Sequence, residues 1–187
     1  MKALMLLPLI LAAAIGLARA EEASPDQIDG YRTAELVPML PGKIDDLQLL
    51  EAESDDQAHR VRARYRVAGK EATADVTIYS PQGVSGPIED EAGALALAIG
   101  EVEKAMGGRG IKGVRRELTT AGGEAALCIS GEQEPGKIYY SYCAAVAKGR
   151  LMAIQTFSPM EGRDVATILT AVNSFTGQMV DAVATGS

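Results

Sequence analysis

The sequence predicts an α+β fold, with a mostly antiparallel twisted sheet, a central helix and a long C-terminal helix packed on that sheet. Three observations predict it. Residues 60–79 alternate like a β-hairpin, and residues 128–143 form a second hairpin bounded by the two cysteines of the chain. Residues 89–106 and 158–184 repeat apolar side chains at helical spacing. The predicted order is strand, hairpin, helix, a meander of about four strands and a final helix, and short loops favour antiparallel pairing.

Residues 1–20 have the order of a secretory signal peptide. Lys2 precedes an apolar run, and small residues at Ala18 and Ala20 form an A-x-A-type cleavage site. The run is short for a bilayer span, which needs about 20 residues, and Pro8 interrupts it. An uncleaved anchor is the disfavoured alternative. We expect cleavage after Ala20, a periplasmic or secreted protein, and no stable membrane insertion after signal cleavage.

The remaining chain divides into a lead and a single domain. Residues 21–45 are expected to form an extended N-terminal lead, because Pro38 and Pro41 favour turns and extended backbone. Residues 46–187 suit one α+β domain, with no internal repeat and no second domain. The apolar residues at 47–53 predict its first strand.

The hairpin at 60–79 is the clearest strand pair. Apolar residues alternate with arginines along its first strand, as on a half-buried sheet. Gly69 and Lys70 are expected to form a two-residue type II′ turn, which has glycine at its first central position. That turn places Arg64 opposite Asp75, and the same register pairs the apolar residues of the two strands.

Both helices carry boundary signals. The central helix at 89–106 begins among acidic residues and is followed by glycines at 107 and 108, which favour its start and its end. The final helix is predicted to begin with a capping box, with Ser158 at N-cap, Pro159 at N1 and Glu161 at N3. Its apolar stripe consists of Val165, Ile168, Leu169, Val172, Phe175, Met179, Val180 and Val183.

The second hairpin, CISGEQEPGKIYYSYC, predicts a disulfide. If Pro135 and Gly136 are the centre of its turn, Cys128 lies directly opposite Cys143, within the Cα separation that a disulfide spans. Export and a single cysteine pair favour a structural bond, and a loop of this size predicts about 3 kcal/mol of stabilisation. The same register gathers small side chains on one face, where we expect the final helix to pack.

Other chemistry for this hairpin is disfavoured. Residues 131–137 match most of a Walker A loop, but Ile138 replaces the magnesium-binding Ser or Thr and no helix is predicted to follow. A thioredoxin-type site needs C-x-x-C. Zinc needs about four ligands, and the single histidine, His59, lies in another hairpin, where we expect it to be solvated. We therefore predict no cofactor and no metal.

Two residue groups are candidates for a binding site. The first is a row of arginines on one strand: Arg60, Arg62, Arg64 and Arg66. They form either an anion- or partner-binding surface or, as we favour, a solvated strand face paired with Asp75 and nearby carboxylates. The second candidate is a tyrosine cluster, for which strand packing is favoured over a binding cleft. It consists of Tyr139, Tyr140 and Tyr142.

Composition and motifs narrow the function. The formal net charge is −7, and removing residues 1–20 would take away Lys2 and Arg19 and leave the chain more acidic. Such a surface disfavours nucleic acid and anionic lipid. No G-x-S-x-G, H-E-x-x-H or kinase-type motif occurs, so we predict no catalytic residue. The main hypothesis is a non-enzymatic exported accessory or protein-interaction protein with an unknown protein partner. The alternative is a small-ligand or anion-binding module that uses the arginine row or the tyrosine cluster.

The order of elements is similar to the small α/β/α sandwiches of the PsbP and Mog1 type. This resemblance covers most of the chain after the signal peptide and rests on topology alone. Members of that fold are mostly accessory or binding proteins, so the resemblance implies a role of the same kind, although a fold does not fix a function.

Overall fold

A computed structural model describes residues 26–82, 84–134 and 137–186. The predicted signal peptide, residues 1–20, lies outside the described residues. The elements in chain order are a 3-10 helix Thr33–Met39, β1 Lys43–Ile44, β2 Leu47–Asp55, β3 Arg60–Val67, β4 Thr73–Tyr79, α1 Glu91–Gly108, β5 Val114–Thr119, β6 Ala125–Glu134, β7 Ile138–Ala147, β8 Arg150–Pro159 and α2 Val165–Thr185.

The strands form one eight-stranded antiparallel sheet in the order β1-β2-β3-β4-β8-β7-β6-β5. It consists of two four-stranded meanders that meet where β4 pairs with β8. The chain passes from the first meander to the second through α1. The predicted α+β fold with a mostly antiparallel sheet is therefore confirmed.

The β3–β4 hairpin has the predicted register but a wider turn. Arg64 pairs with Asp75, as the alternation of the sequence predicts. The N–H of Lys70 donates to the carbonyl of Val67 at 3.1 Å, so Gly69 occupies the second central position of the turn, with φ of 70°. The type II′ prediction is wrong in this respect. A longer loop centred on the same residues keeps the same strand register.

The two long helices lie on opposite sides of the sheet. The face of small residues packs against α2, which confirms the predicted position of this helix; the buried residues involved are Ala126, Cys128, Cys143, Ala145, Met152 and Ile154 of the sheet with Phe175, Met179, Val180 and Val183 of the helix. The opposite face packs against Leu95, Ile99 and Met106 of α1. Among the described residues, no helix combines the length and apolar character needed to cross a membrane.

The start of α2 differs from the prediction. Asp164 is its N-cap, and the carboxylate accepts a hydrogen bond from the N–H of Thr167 at 2.7 Å. Ser158 and Pro159, the expected cap residues, belong to the end of β8, where Ser158 pairs with Tyr139 of β7. Long-range strand pairing therefore overrides a local capping pattern.

The N-terminal lead, expected to be extended over 21–45, differs in its described part. Thr33–Met39 form a 3-10 helix, and Leu36 and Leu40 are buried in the same core as α2. Apolar burial therefore folds these residues against the sheet.

Arg150 fastens the first described residues to the sheet. Its side chain is fully buried and donates to the carbonyls of Asp26 and Tyr31, each at 2.8 Å, and of Ile28 at 3.1 Å. Such charge-assisted bonds are stronger than neutral ones. This buried guanidinium thus makes residues 26–31 part of the fold.

The two cysteines occupy the predicted positions on β6 and β7. Cys128 pairs directly with Cys143, and their sulfur atoms lie at disulfide distance, 2.12 Å apart. Both residues are buried beneath α2. The register shifts between Glu132 and Glu134. The predicted turn centre at 135–136 lies outside the described residues.

Candidate functional site

The two sides of the sheet differ in how much of them a helix covers. The first side lies against α2 and the 3-10 helix. On the other side, α1 packs on β6 and β7. The side chains that point to this side are mostly exposed on β2 and β3 and half-buried on β4. We call this surface the open face; it comprises Gln48, Glu51, Glu53, Asp55, Arg60, Arg62, Arg64, Arg66, Thr73, Asp75, Thr77 and Tyr79.

Strand alternation places the whole arginine row on the open face. Val61, Ala63 and Tyr65, which stand between the arginines, are buried on the α2 side. The intervening arginines are half-buried at position 60 and exposed at positions 62, 64 and 66. This is the two-residue periodicity of a strand with one covered side.

Two members of the row have carboxylate partners. The Nε of Arg64 donates to Asp75 Oδ1 at 2.8 Å, and its Nη1 lies 3.4 Å from Glu51 Oε1. The Nη2 of Arg60 lies 3.3 Å from Asp55 Oδ2. The hydrogen bond from Arg64 to Asp75, together with the charges of both carboxylates, raises the pKa of Arg64. For these two arginines the geometry is that of a charge-paired strand face.

The other two arginines differ. Arg62 lies between Glu53 and Thr77 in the strand register. Arg66 donates from Nε to the carbonyl of Lys70 at 3.2 Å. Neither guanidinium forms an ion pair with another residue of the described ranges. The row is therefore divided: Arg60 and Arg64 form ion pairs, and Arg62 and Arg66 form none with the described residues.

An aromatic pair adjoins the end of the row. The register runs across neighbouring strands from Arg66 to Thr73, Phe157 and Tyr140. The ring centroids of Tyr140 and Phe157 are 5.2 Å apart, and both side chains are half-buried. Leu50, 58% exposed, lines a shallow hollow with Arg66 and Phe157. Apolar and cationic groups thus meet at this end of the open face.

The predicted tyrosine cluster does not form one surface. Tyr139 packs against Ile168 and Val172 on the α2 side, and its hydroxyl lies 3.1 Å from Ser130 Oγ. Tyr142 is buried on the opposite side, against α1, where burial raises its pKa. Burial also raises the pKa of Tyr140, which pairs with Phe157 next to the end of the arginine row.

His59 has a defined partner, although the sequence predicted a solvated side chain. Its Nδ1 lies 2.9 Å from Asp26 Oδ1, and the same carboxylate accepts from the N–H of Thr33 at 3.0 Å. Burial raises the pKa of Asp26, but the hydrogen bonds from Thr33 and His59 outweigh it and the net pKa is lowered. Within the described part of the chain, no group of three or more His, Cys, Asp and Glu residues is arranged to hold a metal ion.

Two residues of this surface escaped the sequence analysis. Ile154 of β8 is buried on the α2 side of the sheet, and strand alternation puts Phe157 on the opposite side. The sequence alone could not predict this surface, because the pairing of β8 with β4 was unknown. Leu50 is exposed because the β2–β3 register shifts between Leu49 and Glu51. A bulge adds one residue to one strand, and no sequence signal marked this one.

No family model, curated protein or solved structure matches this chain. The similarity to the PsbP and Mog1 sandwiches therefore stays a prediction from element order. The function has to be derived from the site, since a fold alone does not determine it. The open face is the candidate site because it combines exposed Leu50 and half-buried Phe157 with two guanidinium groups that form no ion pair within the described residues.

Proposed function

We propose that this protein is an exported, non-enzymatic accessory domain that binds a protein partner on its open face. The observation that carries the proposal is the position of Arg66 beside exposed Leu50 and half-buried Phe157, with Arg62 further along the same strand. Neither arginine forms an ion pair with another described residue. Arginine and aromatic side chains are enriched at protein interfaces and at their energetic centres.

The chemistry of the open face specifies the kind of partner. Arg62 and Arg66 are four residues apart on one strand, with Arg64 between them, and they point to the same side. A guanidinium binds a carboxylate through two parallel hydrogen bonds, and Leu50 and Phe157 offer an apolar contact at one end. The expected partner surface carries carboxylates beside an aliphatic or aromatic side chain.

Export supports the same role. The signal-like residues 1–20 and the cysteine pair at disulfide distance fit an oxidising compartment, where such bonds persist. We expect the protein isolated from its source to begin at Glu21 and to carry no free thiol at Cys128 or Cys143. Intact-mass measurement checks both points. A mass that includes residues 1–20, or two thiols that react before reduction, would contradict export.

Partner binding is tested with a matched pair of variants. The mature chain is immobilised and exposed to an envelope extract, in parallel with R62E/R66E and with R115E. Arg115 is a matched control, because it is an exposed strand arginine on β5, paired with Glu103 and outside the open face. We expect a specific partner to bind the wild type and R115E and to be lost with R62E/R66E. Equal retention by all three proteins, or no retention by the wild type, would refute the proposal.

A small-anion site is the second candidate, favoured by the same two arginines without ion pairs. The two candidates give opposite results when inorganic phosphate is titrated into the protein and followed by amide chemical shifts. Partner binding predicts no saturable shift. Saturable shifts on β3 that disappear in R62E/R66E would establish the anion site instead.

A further inference from the structure

We infer that a second binding site lies on the α2 side of the sheet, in a cavity of about 290 Å³ that takes a small monocarboxylate with an apolar chain. The cavity lies between α2, the end of β8, and the turns that join β1 to β2 and β3 to β4. Thr156, at its base, pairs with Ala74 on the side of the sheet opposite the arginine row. The cavity therefore opens on the other side of the sheet from the open face, with Thr73 at the edge between them. The inference does not depend on the proposed function.

Part of the cavity wall is apolar. Leu47, Val67 and Val172 line it, and so does Phe175, whose ring packs edge-on against Tyr65 with centroids 5.2 Å apart. Ligand sites typically combine such walls with a few well-placed polar groups. A volume of about 290 Å³ is at the small end of the usual range for ligand pockets. The walls therefore suit a short hydrocarbon chain.

The base of the cavity holds an unsatisfied hydroxyl. Thr156 is 4% exposed, and its Oγ1 has no hydrogen-bond partner among the residues that the structure describes. Buried polar groups are nearly always hydrogen-bonded, and leaving one unpaired is costly. Ser158, also buried, lines the cavity two residues further along β8. A ligand that accepts a hydrogen bond would satisfy the Thr156 hydroxyl.

The charges around the cavity favour an anionic head group. Lys70 and half-buried Arg163 line it, and neither forms an ion pair within the described part of the chain. Of the two carboxylates, Asp45 already accepts hydrogen bonds from Ser174 and Gln178, and Asp46 is exposed to solvent. A carboxylate is an acceptor-only group that suits hydroxyl donors and a guanidinium together.

Octanoate is the probe, with octanol as its uncharged control and acetate as its chainless control. Calorimetric titration of the mature protein is expected to give one saturable octanoate site. Octanol should bind about tenfold more weakly because it lacks the charge-assisted hydrogen bonds, and acetate should not saturate. A wild type that shows no saturable octanoate binding would overturn the inference.

Variants locate the site. Ala171 is an exposed residue of α2 that lines the cavity, whereas Ala166 is exposed on the same helix and does not line it. A171F should abolish octanoate binding by filling the cavity, and A166F should leave it unchanged. R163Q should weaken binding about tenfold. Octanoate binding that survives A171F would also overturn the inference.

Thr156→Val separates a binding role from a structural one. Valine keeps the shape of threonine and removes the unpaired hydroxyl, so the free energy of unfolding should be unchanged or raised. Octanoate affinity should nevertheless fall, and octanol affinity should fall less. Equal octanoate affinity in T156V and the wild type would exclude Thr156 from the site.

Discussion

Strands β3 and β7 belong to the same sheet but are covered differently. In β3, buried Val61, Ala63 and Tyr65 alternate with arginines that lie on the open face. In β7, residues 141–147 are all buried, because α2 lies on one side and α1 on the other. In the sequence of a strand with one solvated side, apolar and polar residues alternate. A strand covered on both sides has a continuous run of apolar residues.

The difference separates stability from surface chemistry. The doubly covered half holds the cysteine pair, the small residues that let α2 approach, and most of the α1 contacts. The β2–β4 half devotes one side to the core and leaves the other side charged. Substitutions in the doubly covered half should therefore change the free energy of unfolding strongly, and substitutions on the open face should change it little.

The largest expected effect comes from introducing glutamate at two neighbouring positions, one covered by α1 and one on the open face. Ala153 and Thr77 are cross-strand neighbours, but Ala153 is buried in the core beside α1 and Thr77 is half-buried on the open face opposite Arg62. Ala153→Glu buries an unpaired charge and should cost more than about 3 kcal/mol in the free energy of unfolding. Thr77→Glu should change it by less than about 0.5 kcal/mol.

Urea unfolding followed by circular dichroism measures both variants. Because Ala153→Glu can prevent folding altogether, Ala153→Ser serves as the milder member of the pair and should still cost more than Thr77→Ser. If the two glutamate variants were equally stable, the cover that α1 gives to this part of the sheet would be refuted.

Loss of the cysteine pair should have the next largest effect. Replacing both Cys128 and Cys143 by alanine is expected to lower the free energy of unfolding by about 3 kcal/mol, mainly because the unfolded chain gains freedom. Urea unfolding of the oxidised wild type, the reduced wild type and the double variant measures it. The reduced wild type should resemble the variant. Equal stability of all three proteins would show that the covered half does not depend on this link.

The sequence predicted the elements whose signals are local and repeated. The β3–β4 register followed from alternation, and the pairing of Cys128 with Cys143 followed from a turn centre and the cysteine positions. The start of α2 was missed because Ser158 and Pro159 also fit the last residues of β8, and pairing with β7 decided between the two. Local patterns cannot rank a cap against a strand partner distant in sequence.

The candidate site could be predicted only in part, because one part is a local pattern and the other depends on pairing between strands. The arginine row is visible as a periodic pattern in one strand. Its division into paired and unpaired members depends on which carboxylates β2 and β4 place beside it, and the bulge at Leu50 sets that alignment on the β2 side. The folding of the N-terminal lead depends on Arg150, which lies more than a hundred residues away along the chain.

A smaller, pH-dependent effect is expected where residues 26–33 meet the start of β3. The pKa of Asp26 is lowered in the folded protein, so the folded state binds this proton less tightly than the unfolded chain. The stabilisation is complete above the ordinary pKa of 3.8 and is lost as pH falls through the lowered value. Asp26→Asn should remove this component of the acid dependence.

Urea unfolding between about pH 2 and pH 6 checks this expectation. The wild type and Asp26→Asn should differ most near neutral pH and converge in acid, because protonation removes the same charge. Asp56→Asn, which changes an exposed carboxylate in the β2–β3 turn, is the control and should parallel the wild type. A constant difference between Asp26→Asn and the wild type at every pH would contradict the lowered pKa.

The smallest effect is expected on the open face itself. Arg64→Gln breaks exposed ion pairs and should lower Tm by less than about 3 °C, because such pairs contribute little in water. Arg115→Gln, which breaks the exposed pair with Glu103 in the other half, should behave alike. A loss of more than about 6 °C in Arg64→Gln alone would show that the open face is buried in solution. In that case a second molecule covers β3, and the arginines of β3 stabilise the interface between the two molecules.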